Sequence, residues 1–440
     1  MDPISEILES FTLNTDKLHT VQEGMLKNMK MGLTSKEKGL KMLPSYLYNL
    51  PEGTEKGTYI ALDLGGTNFR VVQVDLLGKG KLNTKYLKYT IPDDLKTSTG
   101  EALFDFIANS VKDFLQKQNV NSSKLGFTFS FPCQQLNINK AVLMHWAKGF
   151  TASNVEGQDV VALLHEAFSR NKVNISCVAV INDTVGTLLA HAYESPNSRI
   201  GVILGTGTNA AYIEQCSKME KNPDIKSKSG SVLVNIEWGA FDNEKKYIPF
   251  TAYDDELDAA TPMPNQQRFE KIVSGLYLGE ITRLALVDLV RKQLLFKGQA
   301  LDTLNTPYSL KTEYLSEMES DGSSNFDKVE QVLIQMGITS TVHERQIVKS
   351  IGQQVGTRSA RLAGAVLSAV LIQSDSLSKN ETVVIAIDGS LFEHYPHYQS
   401  RIEAALQELL KDRAKLVKLE LARDGSSVGA ALGALMASQE

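Results

Sequence analysis

Residues 60–70 read IALDLGGTNFR. An apolar, strand-like run ends on Asp63; Gly65, Gly66, Thr67 and Asn68 follow, and Phe69-Arg70 lead into a second apolar run. A hairpin needs only a two-residue turn, so the longer polar turn serves something else. Glycines let backbone N–H groups reach a ligand with no Cβ in the way, Thr and Asn add side-chain donors, and successive amides form an anion nest. The pattern returns at 199–215, RIGVILGTGTNAAYIEQ, with Gly205, Thr206, Gly207, Thr208 and Asn209. Residues 383–390, VVIAIDGS, bring another strand to Asp388, Gly389 and Ser390. One such turn is ordinarily a tight turn with a capping Asp. Two matched turns around a shared cleft could hold a polyphosphate, with Asp63 and Asp388 holding Mg²⁺ through its waters.

Two familiar nucleotide motifs are excluded. GTGTNA (205–210) fits G-x-G-x-x-G/A, but that fingerprint needs a helix directly after it, and AAYIE continues as a strand. No G-x-x-x-x-G-K-[ST] occurs. In AVINDTVGTLLAHAY (179–193) a buried strand ends at Asn182-Asp183-Thr184 and a helix begins. Asn, Asp and Thr are preferred N-caps, and a carboxylate at the C-terminal end of a strand is also where a general base sits in open α/β sheets; the sequence leaves both readings open. HWAKGF (145–150) sets Lys148 between aromatics, as a snorkelling lysine also would be. NIEWGAF (235–241) puts Glu237 in an apolar run, where a buried carboxylate needs partners that a polyhydroxylated ligand could supply. Glu270, in QQRFEKIV, reads as solvent-facing by default, and the seven histidines form no metal spacing.

The elements that must position these residues alternate. Strand-like runs at 58–91, 125–132, 177–181, 199–215 and 381–388 are interleaved with helical spacing at 13–45, 101–116, 160–168, 184–193, 264–296, 342–373, 400–411 and 427–438. That is an α/β protein with covered sheets. The similar hairpins lie about 140 residues apart and suggest two similar domains. The chain has 440 residues, 42% hydrophobic and 22% charged, with a net charge of -5, which gives no general attraction for nucleic acid or anionic lipid. Three cysteines without a CxxC pair argue against a disulfide framework and a zinc site. The N-terminus lacks the order of a signal peptide, and the apolar stretch near 363–372 reads as too short to span a bilayer. The expectation is a cytoplasmic protein.

LDLGGTNFR, FTFSFP, WAKGF, INDTVGT, GTGTNA, IEWGAF, QQRFEKIVSGLYLGE, YLSEMESD, IDGS and DGSSVGAAL occur in the order seen in eukaryotic hexokinases, and residues 40–57 resemble that family's segment before the first turn. The resemblance covers nearly the whole chain and is more specific than one to the wider actin-like ATPase superfamily. It implies an α/β fold of two actin-like ATPase (ribonuclease H-like) domains flanking a deep cleft. Its divisions would be an N-terminal helical segment (1–57) on the large domain, a small domain (58–181), a large domain (182–425) and a C-terminal helix (426–440) returning to the small domain. It implies ATP- and Mg²⁺-dependent phosphorylation of glucose or another hexose at the 6-hydroxyl, the first step of glycolysis, with closure on sugar binding.

By the same resemblance Asp183 is the general base, and Ser130, Lys148, Asn182, Asn209, Glu237 and Glu270 contact the sugar. Lys148 and Arg70 act on the transferring group. Asp63, Gly65, Gly66, Thr67, Asn68 and Arg70 form one phosphate turn, with Mg²⁺ held through water near Asp63 and no direct metal ligand; Gly205, Thr206, Gly207 and Thr208 form the other. Gly389, Ser390, Thr312, Ser316 and Ser426 lie on the adenosine side. Ala147 departs from the Thr common in relatives, which bears on hexose preference. No mitochondrial-type N-terminal anchor is expected, nor any nucleic-acid or membrane partner, and the assembly would be a monomer or homodimer. A catalytically weak hexose sensor on the same fold is one alternative; it would not need Asp183 and both turns together. A nucleotide switch of the chaperone or actin type is another; it would lack Lys148, Glu237 and Glu270.

Overall fold

The computed structural model describes residues 2–65, 68–120, 122–146, 149–298 and 301–438, with the backbone only of Asn68 and Leu301. Ala147, Lys148, Gly66 and Thr67 lie outside the described residues.

Strands are numbered along the chain. A short β1 (Leu43–Pro44) precedes β2 (Lys56–Leu64), β3 (Asn68–Gly78), β4 (Lys81–Thr90), β5 (Lys124–Phe129), the hairpin β6 (Cys133–Asn137) and β7 (Lys140–Leu143), and β8 (Ser176–Ile181). Then come β9 (Ser198–Leu204), β10 (Thr208–Gln215), β11 (Ser231–Asn235), β12 (Val383–Asp388) and β13 (Val417–Leu421). The first sheet has the order β4-β3-β2-β5-β8, the second β1-β11-β10-β9-β12-β13. In the first, β2 is antiparallel to β3 and parallel to β5, and β5 is parallel to β8. In the second, β9 is antiparallel to β10 and parallel to β12, and β12 is parallel to β13. With β1 set aside, the strand order and directions are the same. The repeated hairpin in the sequence is thus the visible part of a repeated five-stranded unit.

The residue patterns explain the layering. Ile60, Ala61, Leu62 and Leu64 of β2 and Val383–Ile387 of β12 are buried on both faces, so these strands read as continuous apolar runs. The edge strand β4 is mostly exposed and carries lysines, a composition that discourages edge-to-edge pairing. The Thr15–Thr34 helix packs on the Val342–Gln373 and Tyr398–Leu410 helices of the second lobe. Val342–Gln373 is, among the described residues, the one helix long and apolar enough to cross a membrane, but 83% of its apolar window is buried inside the protein. Its bounds are those that the helical spacing at 342–373 predicts, its apolar window is longer than the stretch near 363–372, and it is a core helix.

Two helices exchange lobes. Asp183–Glu194 leaves β8 of the first sheet and packs on β9, β10 and β12 of the second. Gly425–Met436 leaves β13 of the second and packs on β2, β5 and β8 of the first. They cross where Gly186 meets Gly429, so close that a Cβ on Gly429 would lie 2.2 Å from Gly186 Cα. Val185, Leu188, Val428 and Leu432 of this pair join Ala61, Val72, Ala211 and Leu233 of the two sheets in a core between the lobes.

The segment 264–296, expected to be helical throughout, is broken. Helix Arg268–Val273 and helix Leu278–Arg291 are separated at Ser274–Tyr277. There the amides of Gly275 and Leu276 donate to the Gly205 and Thr206 carbonyls instead of continuing a helix.

Candidate active site

At the end of β8 the chain turns into the first crossing helix, and the choice between its two polar residues is resolved. Asn182 is the N-cap: its side-chain oxygen accepts from the Thr184 amide at 2.9 Å and from the Thr184 hydroxyl. Asp183 is the first helical residue, and its Oδ1 also accepts from the Thr184 amide at 2.9 Å. A carboxylate in the first turn is favoured by the helix dipole.

Two carboxylates flank Asp183 closely enough to feel its charge. Glu237 sits just beyond β11 with φ +57, a left-handed conformation. Its Oε1 accepts from Asn235 Nδ2 at 2.8 Å and Asn209 Nδ2 at 3.2 Å, and Asn209 also donates to Asn235 Oδ1 at 2.9 Å. Burial pushes the Glu237 carboxyl above its ordinary range, and the charges of Asp183 and Glu270 add to the rise, against the two amide hydrogen bonds. Asp388, at the end of β12, is pushed up to about 6 by burial first and then by Asp183 and Asp424, with Arg70 opposing. Asp183 is therefore within electrostatic reach of two carboxylates, one in the amide-lined pocket and one at the end of β12.

A cavity between the sheets is lined by Phe129, Phe131, Ile181 and Asn182 from the first lobe and by Asn235 and Glu237 from the second. Ser130 lies between the two lining phenylalanines, just past β5. Glu270 does not face solvent: its Oε2 accepts from the Thr208 amide at 3.0 Å. The turn 205–208 is held further by the Thr208 hydroxyl, which accepts from Trp238 Nε1 at 3.0 Å. Gly389, at φ +129, passes so near this turn that a Cβ there would lie 2.3 Å from the Leu204 carbonyl oxygen. Ser390 is exposed at the start of helix Ser390–His394. Ser316 donates to the His394 carbonyl at 3.2 Å, and Thr312, one helical turn earlier, accepts from the Gly279 amide at 2.9 Å. Of the residues assigned to the adenosine side, Gly389 and Ser390 thus begin this short helix, Ser316 meets its far end, and Thr312 meets the start of helix Leu278–Arg291.

Ser426 instead lies against the end of β2. Arg70 pairs across β2–β3 with Asp63, donating to its Oδ2 at 2.6 Å, and donates to Asp424 Oδ1 at 2.9 Å. The Ser426 and Ser427 hydroxyls donate to the same Asp63 oxygen at 2.8 and 3.3 Å. Burial works against the Arg70 charge, but Asp63 and Asp424 outweigh it and hold the guanidinium pKa above its ordinary value.

Two family profiles described as Hexokinase match residues 3–193 and 199–436. Hexokinase-1 of Saccharomyces cerevisiae is 38% identical over 457 residues, spanning 100% of this chain and 93% of that protein. The chain belongs to the hexokinase family. Human Hexokinase-3 is 41% identical over 435 residues, 98% of this chain but 46% of that protein; the chain spans about half the length of such human relatives. A solved hexokinase from Schistosoma mansoni, complexed with glucose, superposes with a TM-score of 0.89 at 37% identity, covering 99% of this chain and 98% of that one. A ROK hexokinase from Thermus thermophilus, at 16% identity and TM-score 0.52, shares the fold.

In this hexokinase-family chain, Asn235 and Asp424 contact candidate site residues and were missed by sequence reasoning. Asn235 supplies an amide to Glu237, and the signal was its place two residues earlier at a strand end. Asp424 receives Arg70, and its signal was an Asp-Gly-Ser that repeats the one at 388–390. Lys148 falls outside the described residues; of the residues around it in sequence, Trp146 and Phe150 stack with centroids 5.3 Å apart, and Trp146 Nε1 donates to the Ala152 carbonyl at 2.8 Å. No group of three His, Cys, Asp or Glu side chains placed to hold a metal occurs among the described residues.

Proposed function

We propose that this chain transfers the γ-phosphoryl group of ATP to the 6-hydroxyl of glucose or a related hexose, the first step of glycolysis, in the cytoplasm. The observation that carries the reading is the position of Asp183, half-buried at the first residue of a crossing helix and within electrostatic reach of both Glu237 and Asp388. The structure complexed with glucose that this chain resembles supports the sugar as substrate.

In this reading Asn182, Asn209, Glu237, Glu270 and Ser130 hold the hexose hydroxyls, and Asp183 takes the proton of the attacking hydroxyl. General-base action of this kind is typically worth ~10²–10⁴ in rate. Phosphoryl transfer needs positioning and charge neutralisation more than covalent chemistry, which the turn amides, Lys148 and Arg70 would supply. The acidic groups around Asp388 fit a divalent cation that arrives with the nucleotide, since Mg²⁺ keeps waters and takes phosphate oxygens with one or two carboxylates; Asp63 and Asp388 would hold it through water, and it would neutralise charge on the transferring phosphates. Water competes with the sugar for the phosphoryl group. Closure of the lobes about the Gly186–Gly429 crossing would exclude it and assemble the site only around bound sugar.

An assay of ADP release with ATP and Mg²⁺, with and without glucose, tests this. Glucose-dependent ADP formation with stoichiometric glucose 6-phosphate is expected. Glucose binding without product would point to a sensor, and ATP turnover indifferent to glucose to a nucleotide switch.

A further inference from the structure

The carboxylate assigned to the sugar also touches the nucleotide side. Glu270 Oε2 accepts the Thr208 amide at 3.0 Å. Gly207 leaves room for it: a Cβ there would sit 2.8 Å from the same oxygen. The rest of the turn is strapped to the same stretch of chain, with the Gly275 amide on the Gly205 carbonyl at 2.7 Å and the Leu276 amide on the Thr206 carbonyl at 3.3 Å. The Arg268–Val273 helix that carries Glu270 is itself anchored by buried charges: Lys271 and Arg268 grip the two oxygens of Asp258 at 2.6 and 2.8 Å.

We infer that Glu270 is a positioning residue for the nucleotide turn as well as a sugar contact, one carboxylate that couples the two substrates. The inference rests on the proposed function for its naming of the substrates. Glu270, Gly275 and Leu276 fix the turn from one side. The Thr206 and Gly207 amides are not used in these bonds and are the ones left to meet phosphate. A turn held in shape before the ligand arrives binds it with less ordering cost. Sugar hydroxyls that engage Glu270 would meet a residue already fixing the turn, so that occupancy of one site is felt at the other.

The test is the affinity for MgADP measured by calorimetry with no hexose present, because a residue that only touches sugar cannot move it. Glu270→Ala is expected to weaken MgADP about tenfold, the usual value of one charge-assisted hydrogen bond. Glu270→Gln, whose amide oxygen can still accept from Thr208, is expected to stay within about twofold while glucose binding weakens in both variants. If the Ala variant does not fold, Glu270→Asp, one methylene too short to reach, takes its place with the same expected loss. MgADP binding unchanged or tightened in Glu270→Ala, or lost equally in Glu270→Gln, overturns the inference. Glucose-dependent ADP production by the wild-type protein, run alongside, tells the two claims apart: its absence with the nucleotide effect intact would fault the proposed function alone.

Discussion

The two lobes repeat one sheet but hold their glycine turns differently. In the second lobe the turn at 205–208 is fixed within its own lobe, by backbone bonds from Gly275 and Leu276 and by Glu270. In the first lobe the strand before the turn is pinned by side chains that lie far along the sequence. Asp63 is bound by Arg70 and Ser426, and Arg70 reaches Asp424, where the chain leaves the second sheet. The turn at 205–208 is therefore held within its own lobe, while the strand end at Asp63 is tied to the crossing helix. The two units share strand order and direction and differ in their loops. The tie at Asp63 is the kind of link through which relative movement of the lobes would reach the end of β2.

The comparison can be broken first at the crossing. Gly429→Val forces a branched side chain into the Gly186 backbone and is expected to cost more than about 3 kcal/mol, or to prevent folding. A denaturation midpoint equal to wild type would show that the helices are not locked there. Next, Arg70→Met removes the link between lobes, with an expected loss of about 10- to 100-fold in kcat/KM for ATP. A change under about threefold would make the ties to Asp63 and Asp424 incidental.

The strand-end acids should respond with opposite sign. Asp63 is satisfied by partners, so Asp63→Asn should destabilise. Asp388 has its carboxyl raised to about 6 by burial and by Asp183 and Asp424. An acid whose folded pKa lies above its unfolded value binds its proton more tightly in the folded state, so its charging destabilises the fold increasingly between about pH 4 and 6 and fully above that. Asp388→Asn is expected to stabilise the ligand-free protein by about 1–3 kcal/mol at pH 7.5 and to have no effect near pH 4, as read from urea denaturation at the two pH values. An equal effect at both would show that Asp388 carries no such charge cost. The smallest contrast is at the helix starts. Asn182→Ala should cost about 1 kcal/mol through loss of a cap. Asp424→Ala, at the matching helix, should cost less than about 0.5 kcal/mol, because Asp424 makes no capping bond and its ion pair is exposed.

Much of this architecture was legible because buried strands declare themselves. IALDL and VVIAI are apolar on both faces, and the glycine turns after residues 64 and 204 punctuate them. The repeat of turns announced the repeat of sheets. The helical break at Ser274–Tyr277 had only a weak local signal, the turn-prone Ser274-Gly275 dipeptide; what fixes the break is long-range, since the Gly275 and Leu276 amides leave the helix for carbonyls about 70 residues away. Glu270 was hidden for a related reason. It stands between Arg268 and Lys271, and a run of charges reads as a solvated face, yet both cations are buried against Asp258. At Asn182-Asp183 the sequence allowed either residue to be the cap, and only the geometry assigns that task to Asn182 and makes Asp183 the first helical residue.

The most direct test is transfer of labelled γ-phosphate from ATP to glucose in a single turnover at saturating sugar, by the wild-type protein and by Asp183→Asn. The account predicts glucose 6-phosphate from the wild type, and a rate at least about a hundredfold lower from the variant with glucose affinity within about threefold. Transfer by Asp183→Asn within tenfold of wild type would contradict it.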